Sequence, residues 1–260
     1  MKIGFIGCGN MGGALLKAAV AAGYQAEILA SDRDPARAAA LGVQPASNVE
    51  IAKCADYIFL GVKPQVLDSV LAEIHPILES RSTRFVLISM AAAVGIAHIC
   101  AQLGSEYPVL RIMPNMPASV GAGMILFDAN PLVAPEEITE FQSILGESGI
   151  LDRLPERLID AGCALSGCGP AYVYLFAEAM ADGGVECGLP RDKAALYAAQ
   201  TLMGAAKMLL SGGQPGALKD AVCSPGGTTI AGVHALESGA FRATVMDAVV
   251  AAFEKNAQLR

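Results

Sequence analysis

The fold is decided by the stretch Lys2-Ile-Gly-Phe-Ile-Gly7-Cys-Gly9-Asn-Met-Gly12-Gly13 at the start of the chain. The apolar residues before the glycines predict a buried strand, and the pattern after them predicts a helix. In this spacing Gly7 permits a tight turn, Gly9 lets a pyrophosphate approach the backbone, and Gly12 lets the helix close onto the strand. A Gly-rich turn without a ligand is the alternative, but this context favours a dinucleotide-binding loop. The predicted contacts in the loop are Gly7, Gly9, Asn10, Met11 and Gly12.

Residues 1–154 continue with short β-branched runs that alternate with helix-like stretches. Strands are predicted at Lys2–Ile6, Ala26–Ser31, Tyr57–Val62, Arg84–Ser89, Val109–Met113 and Gly123–Phe127. Helical patterns fall between the earlier strands, as at Met11–Ala22 and at Asp34–Leu41, which begins with a good N-cap residue. Strands that alternate with helices predict parallel βαβ units and a doubly wound sheet. We therefore predict that residues 1–154 form an α/β Rossmann domain with a mainly parallel sheet.

From about Glu156 the strand-like runs disappear and Ala-rich helical segments follow one another. They are predicted at Glu156–Leu165, Ala171–Val185, Arg191–Leu210, Leu218–Val222, Thr229–Glu237 and Ala240–Gln258. This pattern predicts an all-α domain over residues 155–260. Arg191–Leu210 carries few charges, and a helix that is apolar around most of its circumference needs other helices to cover it. We expect this domain to form a homodimer or a larger assembly, with a compact monomeric bundle as the alternative.

Composition argues against several classes of function. The formal net charge of −7 argues against a nucleic-acid partner, which normally meets a basic face. No apolar run reaches the ~20 residues that a bilayer requires, and a strand that starts at Lys2 leaves no room for a cleavable leader. The seven cysteines include no CxxC pair, and the three histidines show no metal-ligand spacing. We expect a cytoplasmic protein without a structural metal and without a membrane or nucleic-acid partner.

The end of the second predicted strand bears on the choice of cofactor. An acidic residue at this point is typical of NAD binding, whereas a basic residue accommodates the 2′-phosphate of NADP. The sequence reads Ser31-Asp32-Arg33, which is a mixed signal. Asp32 is suited either to accept from a ribose hydroxyl or to begin the turn before Asp34, while Ser31 and Arg33 are suited to hold a phosphate. We predict NADP(H) as the preferred cofactor, with NAD(H) as the alternative.

Three further segments follow predicted strands at the carboxyl edge of the sheet, where open α/β sheets bind their ligands. They are Gly61-Val62-Lys63-Pro64, Ser89-Met90-Ala91-Ala92-Ala93 and Met113-Pro114-Asn115-Met116-Pro117. Lys63 is suited to touch a phosphate or the substrate side of the cleft, or else it is only a solvated loop residue. The small residues of the second segment fit a wall for a flat ring, and Asn115 is suited to present its amide to the nicotinamide. The predicted cofactor contacts are Val62, Lys63, Pro64, Ala91, Ala92 and Asn115.

A second glycine-rich loop lies in the helical half and reads Ser224-Pro225-Gly226-Gly227-Thr228-Thr229. Pro-Gly-Gly cannot continue a helix, so a helix is predicted to start at Thr228 or Thr229. Uncovered backbone N–H groups at a helix N-terminus form a cradle for an anion such as a carboxylate. A plain N-cap after a turn is the alternative. The cradle comprises the backbone at Gly226 and Gly227 and the start of the helix, with the Thr229 hydroxyl beside it.

Several familiar sources of chemistry are missing from the sequence. None of the three histidines lies in a triad motif, no paired carboxylates stand out, and no Lys-rich phosphate loop occurs. The chemistry must then come from the bound dinucleotide, while the protein supplies binding, orientation and electrostatics. We predict an oxidoreductase that transfers hydride.

These motifs together resemble those of the pyrroline-5-carboxylate reductase family. They occur in the family's order and spacing as Gly4-Phe-Ile-Gly-Cys-Gly-Asn-Met11, Val62-Lys-Pro64, Met113-Pro-Asn115, Ser166-Gly-Cys-Gly-Pro-Ala-Tyr172, Ala181-Asp-Gly-Gly-Val185, Leu218-Lys-Asp220 and Ser224-Pro-Gly-Gly-Thr-Thr-Ile230. The last motif is the specific one, because many dehydrogenases share the glycine fingerprint. The sequence departs from the family at Ala93, Met116 and Cys168, where Gly, Thr and Ser are usual.

The resemblance implies hydride transfer from NAD(P)H to 1-pyrroline-5-carboxylate, which gives L-proline in the last step of proline biosynthesis. It implies a helical domain that interlocks with its partner in a homodimer, often assembled into a decamer. It also implies that Asn48 contacts the cofactor ribose and that Ser224, Gly227, Thr228 and Thr229, with Gly226 beside them, bind the substrate carboxylate and imine nitrogen. We predict Thr229 as the catalytic proton donor, relaying from water. The alternatives are another imine or 3-hydroxyacid reductase, or a dinucleotide-sensing protein without turnover.

Overall fold

The computed structural model describes residues 1–258. They fall into two compact units, the first formed by Met1–Cys168 with the C-terminal segment from Phe253, and the second by Gly169–Ala252. The predicted domain division at 154/155 stays a prediction, and residues 259 and 260 of its second part lie outside the described residues.

A mainly parallel sheet forms the centre of the first unit. Its strands are β1 Ile3–Ile6, β2 Ile28–Ser31, β3 Gln44–Pro45, β4 Tyr57–Leu60, β5 Val86–Ser89, β6 Val109–Met113, β7 Gly123–Ala129 and β8 Gly149–Arg153. The eight strands are ordered β3-β2-β1-β4-β5-β6-β7-β8. Neighbours among β1 to β6 pair in parallel, β7 pairs antiparallel with β6, and β8 is parallel to β7. The predicted doubly wound α/β fold is confirmed.

The sequence analysis did not predict the two edge strands β3 and β8. Strand β3 has only two residues, and it pairs with Leu29 and Ala30 of β2. Strand β8 carries exposed polar residues at Asp152 and Arg153. A short or half-polar edge strand lacks the apolar run on which prediction from sequence depends. The predicted strand Tyr57–Val62 was also too long, because β4 ends at Leu60.

Helices surround the sheet and make up the second unit. They are α1 Asn10–Ala19, α2 Pro35–Ala40, α3 Asn48–Cys54, α4 Pro64–Ser80, α5 Ile96–Gln102, α6 Pro135–Ile144, α7 Glu156–Gly162, α8 Gly169–Glu186, α9 Arg191–Leu210, α10 Pro215–Ala221, α11 Thr228–Ser238 and α12 Phe241–Ala257. Asp34 caps α2 as predicted, because its side chain accepts from the Ala36 N–H at 3.1 Å. Helix α1 continues through a π-helical turn to Gly23, whose φ of 96° ends the helical path.

Alternate residues of the central strands enter two apolar layers on opposite faces of the sheet. In one layer Phe5 and Phe59 stack with ring centroids 4.4 Å apart, together with Leu15 of α1. The other layer contains Ile58 of β4 and Leu71 of α4. Burial on both faces is typical of a parallel sheet. The two layers hold the carboxyl ends of β1, β2 and β4 at one edge, where the candidate site lies.

A buried ion pair lies on β6. Arg111 is only 2% exposed, and its Nη2 donates to Asp160 Oδ1 at 2.7 Å. Its Nη1 lies 3.6 Å from Glu156 Oε1, and the same oxygen accepts from the Ile96 N–H at 2.7 Å. Burial lowers the pKa of Arg111, and the Glu156 charge opposes that shift. This cluster joins β6 to the starts of α5 and α7, and the sequence analysis did not predict it.

Asp160→Ala is expected to lower the free energy of unfolding by about 3–5 kcal/mol, because the buried Arg111 loses its nearest counter-charge. Urea denaturation followed by circular dichroism measures this change. As a control, Arg153→Ala removes an exposed pair with Asp128, 3.4 Å apart, and is expected to cost less than about 1 kcal/mol. An equal fall in the free energy of unfolding in the two variants would contradict a larger stabilising effect of the buried pair.

The second unit is helical, and its α8 and α9 pack through small residues. Ala181 of α8 and Ala194 and Ala198 of α9 are buried together. Many large apolar side chains are nevertheless exposed in the single chain, among them Val173, Tyr174, Leu175, Leu196, Met208, Leu210, Val222, Met246 and Val250. Exposed apolar surface of this extent is typical of a face that another molecule covers.

Two searches of the described residues bear on the class of protein. No helix within residues 1–258 combines the length and apolar character needed to cross a membrane. In the same residues, His, Cys, Asp and Glu side chains form no group of three or more that could hold a metal ion.

Candidate functional site

The glycine loop between β1 and α1 leaves its backbone open to a ligand. Gly7 has φ 96°, a conformation that side-chain-bearing residues rarely adopt, and its N–H donates to the Ser31 carbonyl at 2.7 Å. A Cβ atom on Gly12 would overlap the carbonyl oxygen of Gly7, whereas one on Gly9 would meet no described atom within 4 Å. Gly9 is the N-cap of α1, so the free N–H groups of the first turn border this open space. The loop therefore fits a phosphate group.

Asp32 holds the glycine loop from the end of β2. Its Oδ2 accepts from the Cys8 N–H at 2.7 Å, and its Oδ1 accepts from the Asp34 N–H at 2.9 Å. Both carboxylate oxygens therefore have protein donors, and the second bond forms the turn before α2. Contact between Asp32 and a ribose hydroxyl stays a prediction, and it would have to use the remaining lone pairs.

Cys8 lies inside the loop but is not a nucleophile. Its side chain is buried, and Sγ lies 3.6 Å from the Ser31 carbonyl oxygen. Burial raises the pKa of the Cys8 thiol to about 11, and the Asp32 charge adds to the shift. The thiol is thus protonated at neutral pH, whereas a nucleophilic cysteine needs the thiolate. The loop can bind a ligand but offers no reactive group of its own.

A cavity of about 640 Å³ opens beside the loop, next to the ends of β1, β2 and β4 and the helices α3 and α4. Among the predicted cofactor residues, its lining includes Gly7, Gly9, Ser31, Asp32, Arg33, Asn48, Val62 and Lys63. The lining also contains polar residues that the sequence analysis missed, namely Arg37, Ser47, Ser69 and Glu73. A space of this size, with convergent polar groups beside a phosphate-binding loop, suits the adenosine half of a dinucleotide.

Three elements meet in this cavity through a chain of hydrogen bonds. Ser31 Oγ of β2 donates to Asn48 Oδ1 at 2.7 Å, and Asn48 Nδ2 donates to Glu73 Oε2 of α4 at 2.7 Å. Asn48 is the first residue of α3, and the preceding Ser47 forms a capping box with Glu50. The capping box fixes the start of α3 and so places the Asn48 side chain in the cavity.

The other predicted cofactor residues lie around this cavity. Asn10 lines a neighbouring cavity of about 480 Å³, and Pro64, the first residue of α4, lines another of about 680 Å³. Met11 is half-buried in the first turn of α1, and Gly12 lies beneath the loop against Gly7. Contacts of these four residues with a cofactor stay predictions.

The predicted wall after β5 is compact. Ala91 is buried, and Ala92 packs in a small apolar cluster with Met113. Ala93 has φ 61°, a left-handed conformation that costs a non-glycine residue roughly 1 kcal/mol. This is the position where the resembled family usually has Gly, so the backbone retains a glycine-like conformation although the side chain differs. Contact between this wall and a nicotinamide stays a prediction.

Asn115 follows β6 and joins two neighbouring segments of the first unit. Its Oδ1 accepts from the Met124 N–H at 2.9 Å, and its Nδ2 donates to the Ser166 carbonyl at 2.9 Å. Each end of the amide thus has a protein partner, a role that the sequence analysis did not foresee. The predicted contact with the nicotinamide would have to use the second N–H of Nδ2.

The second glycine-rich loop lies in the second unit and opens helix α11. Gly226 has φ 68°, and Gly227 is the N-cap, with its N–H donating to the Ser224 carbonyl at 3.0 Å. Helix α11 begins at Thr228 and has eleven residues, which confirms the predicted start. Thr228 and Thr229 are exposed, so their side chains and the first-turn N–H groups face open space. This arrangement suits an anion such as a carboxylate.

The fold and the glycine loop define the class of protein: a Rossmann-type dinucleotide-binding protein with a helical second unit. The family described as "Pyrroline-5-carboxylate reductase dimerisation" matches residues 156–259, and "NADP oxidoreductase coenzyme F420-dependent" matches residues 2–93. The chain is 43% identical to the Escherichia coli pyrroline-5-carboxylate reductase over 99% of this chain and 98% of that protein. It is 40% identical to the Pisum sativum enzyme of the same name, over 99% and 95% of the two chains.

Solved structures of similar chains agree with this result. The pyrroline-5-carboxylate reductase of Coxiella burnetii superposes with a TM-score of 0.91 at 34% identity, covering 99% of this chain and 98% of that one. The Plasmodium falciparum pyrroline carboxylate reductase with NADP bound gives a TM-score of 0.87 at 35% identity, covering 98% and 97%. The chain belongs to the pyrroline-5-carboxylate reductase family.

Proposed function

We propose that the protein reduces 1-pyrroline-5-carboxylate to L-proline with a reduced nicotinamide dinucleotide, the last step of proline biosynthesis. The observation that carries this proposal is the Ser224–Thr229 loop, which opens helix α11 in a chain 43% identical to the Escherichia coli pyrroline-5-carboxylate reductase. A dinucleotide loop alone supports many kinds of reductase. The second loop adds a cradle suited to the carboxylate of an imino-acid substrate.

In this proposal the first unit holds the cofactor. The bound dinucleotide supplies the hydride. The glycine loop and the first turn of α1 bind its pyrophosphate through backbone N–H groups, and Ser31 and Asn48 hold the adenosine ribose. The remaining contacts along the sheet edge are assigned to Val62, Lys63, Pro64, Ala91, Ala92 and Asn115. These residues orient the cofactor and exclude water from its reactive face.

The second loop holds the substrate in this proposal. The N–H groups of Thr228 and Thr229 bind the carboxylate, with support from the positive end of the α11 dipole, while the Gly227 N–H holds the loop through the Ser224 carbonyl. Fixing the carboxylate orients the ring and thereby selects the face that receives the hydride, which is a positioning effect. A protonated imine accepts hydride more readily than a neutral one. We assign the Thr229 hydroxyl as the donor to the ring nitrogen, and it relays a proton from water because a hydroxyl is a poor acid at neutral pH.

We propose NADP(H) as the preferred cofactor. Both oxygens of Asp32 already accept from backbone N–H groups, at 2.7 and 2.9 Å, which weakens its suitability for the ribose diol of NAD. Arg33 lines the same cavity and supplies positive charge for a 2′-phosphate. The similar Plasmodium falciparum structure has NADP bound.

We propose that the second unit forms a homodimer. The matching family of residues 156–259 is described as a dimerisation family, and this unit exposes many large apolar side chains in the single chain. Light scattering distinguishes a dimer from the decamer that the resemblance implies.

We also propose a cytoplasmic location, because all seven cysteines are free thiols, as is usual in a reducing compartment.

The full-length protein is expected to consume NADPH when it is mixed with the cyclic imine, with one L-proline formed for each NADPH. Loss of nicotinamide absorbance and chromatography of the product measure the two quantities. An analogue of the cyclic imine without the carboxylate is the control, and it is expected to react slowly. Turnover of a 3-hydroxyacid or an unrelated imine instead would support the alternative reductases. Tight NADPH binding without any proline would support the sensing protein.

A further inference from the structure

One arginine in the cofactor cavity is not explained by the glycine fingerprint or by the sequence signal at the end of β2. Arg37 lies on α2, four residues after Arg33, and both side chains line the 640 Å³ cavity. Glu73 of α4 lines the same cavity. We infer that Arg37 is a second phosphate-binding cation beside Arg33, that Glu73 opposes both, and that these charges set the discrimination between NADP and NAD. The inference rests on the proposed function, since it concerns the cofactor of the same site.

Arg37 is only weakly paired with Asp34 and is therefore available to bind a phosphate. Its Nε lies 3.8 Å from Asp34 Oδ2, and both side chains are more than half exposed. An exposed ion pair at this distance is weak, so the guanidinium is available to a stronger anion. A 2′-phosphate carries close to two negative charges and accepts paired hydrogen bonds from a planar guanidinium. Two arginines at one cavity match that charge.

Asp32 cannot provide the discrimination on its own. Its two oxygens accept from the Cys8 and Asp34 N–H groups, so its position is fixed by the loop and the turn that it holds. NADP and NAD differ only at the 2′ position of the adenosine ribose, so side chains that meet this position must distinguish them. Besides Asp32 and Lys63, the charged residues that line the cavity are Arg33, Arg37 and Glu73, and we assign the discrimination to these three.

Glu73 is hydrogen-bonded to Asn48, the residue proposed to hold the adenosine ribose. Its Oε2 accepts from Asn48 Nδ2 at 2.7 Å, and Asn48 Oδ1 in turn accepts from Ser31 Oγ at 2.7 Å. The carboxylate therefore orients the Asn48 amide and also adds a negative charge near the expected 2′ position. Like charge disfavours a phosphate there. Replacement by glutamine retains an acceptor for Asn48 and removes only the charge.

The test measures binding to the full-length protein, with 2′,5′-ADP and 5′-AMP as probes of the phosphate and with NADPH and NADH as complete cofactors. Isothermal titration calorimetry gives the dissociation constants. Arg37→Gln is expected to weaken NADPH and 2′,5′-ADP about tenfold or more, and to change NADH and 5′-AMP less than about twofold. Glu73→Gln is expected to tighten NADPH and 2′,5′-ADP about threefold. Arg242→Gln is the control, because Arg242 is an exposed arginine of α12 paired with Glu237 at 2.7 Å.

The outcomes separate this inference from the proposed function. Equal weakening of NADPH and NADH by Arg37→Gln, or no weakening of either, overturns the assignment of Arg37. Unchanged selectivity in Glu73→Gln overturns the role of Glu73. Proline formation with NADH by the Arg37→Gln protein supports the proposed function, whichever of these binding results is obtained. A wild-type protein that binds 2′,5′-ADP more tightly than 5′-AMP but forms no proline would instead sink the proposed function alone.

Discussion

Gly12→Val is expected to abolish measurable NADPH binding, with a loss of affinity of more than about 100-fold. A Cβ atom at this position would overlap the carbonyl oxygen of Gly7, which is backbone and cannot rotate away. Helix α1 would have to move off β1, and the N–H groups of its first turn would leave the phosphate position. Titration of NADPH fluorescence measures the affinity, and circular dichroism shows whether the variant is folded.

The matched control for this experiment is Gly146→Val, in the same unit. A Cβ atom on Gly146 meets no described atom within 4 Å, so the substitution is expected to leave NADPH affinity within about twofold of wild type. A Gly12→Val protein that is folded and binds NADPH like the control would contradict the proposed cofactor loop. If Gly12→Val fails to fold while the control folds, the NADPH titration is repeated with Gly12→Ala. This variant introduces the same overlap with a smaller side chain.

The fold of the first unit could be predicted because its signals are local. The Gly7–Gly12 loop, the strand before it and the helix after it are adjacent in sequence, and their order determines a parallel βαβ unit. The N-cap at Asp34 was predictable for the same reason, since Asp34 accepts from Ala36 only two residues away. Strand β8 was not predictable, because it is an edge strand that pairs with β7 alone among the described strands and has no apolar run of its own.

Several polar contacts depend on residues that are far apart in sequence. Asn48 and Glu73 are 25 residues apart, and Arg111 and Asp160 are 49 apart. In the sequence each of these side chains has the appearance of an ordinary helix or strand residue. Only the packing of the elements makes them partners. Arg37 carried no such signal, because Arg33 lies before the N-cap Asp34 and helical spacing does not relate the two positions.

The second unit shows where prediction from sequence succeeds and where it ends. The limits of α9 were predicted as Arg191–Leu210 and agree with the structure, because Pro and Gly punctuate the helices clearly. The thin polar face of the same helix indicated a covered surface, and Leu196 and Leu210 are indeed exposed in the single chain. The identity of the covering surface is a property of the assembly, so the homodimer is argued from the family match of residues 156–259.

Thr229→Val is expected to lower kcat for imine reduction about 100-fold or more, while NADPH affinity stays within about twofold of wild type. Valine retains the shape of threonine and removes only the hydroxyl. The first-turn N–H groups of α11 remain, so binding of the substrate carboxylate and hence KM are expected to change little. Stopped-flow measurement of NADPH oxidation at saturating imine gives kcat. The kcat values of the wild type and of the variant are then compared over a range of pH.

The control for this variant is Thr244→Val, because the hydroxyl of Thr244 in α12 donates to the carbonyl of Ala240, just before that helix, at 3.2 Å and meets no proposed ligand. It is expected to leave kcat unchanged. If Thr229→Val also retains kcat, the proton reaches the imine nitrogen from water without this hydroxyl, and the loop acts on the carboxylate alone. If KM rises instead while kcat holds, Thr229 binds the ring but does not protonate it. Only a fall in kcat at nearly constant KM supports a hydroxyl whose hydrogen bond to the nitrogen strengthens as the hydride arrives, since such a bond stabilises the transition state more than the bound substrate.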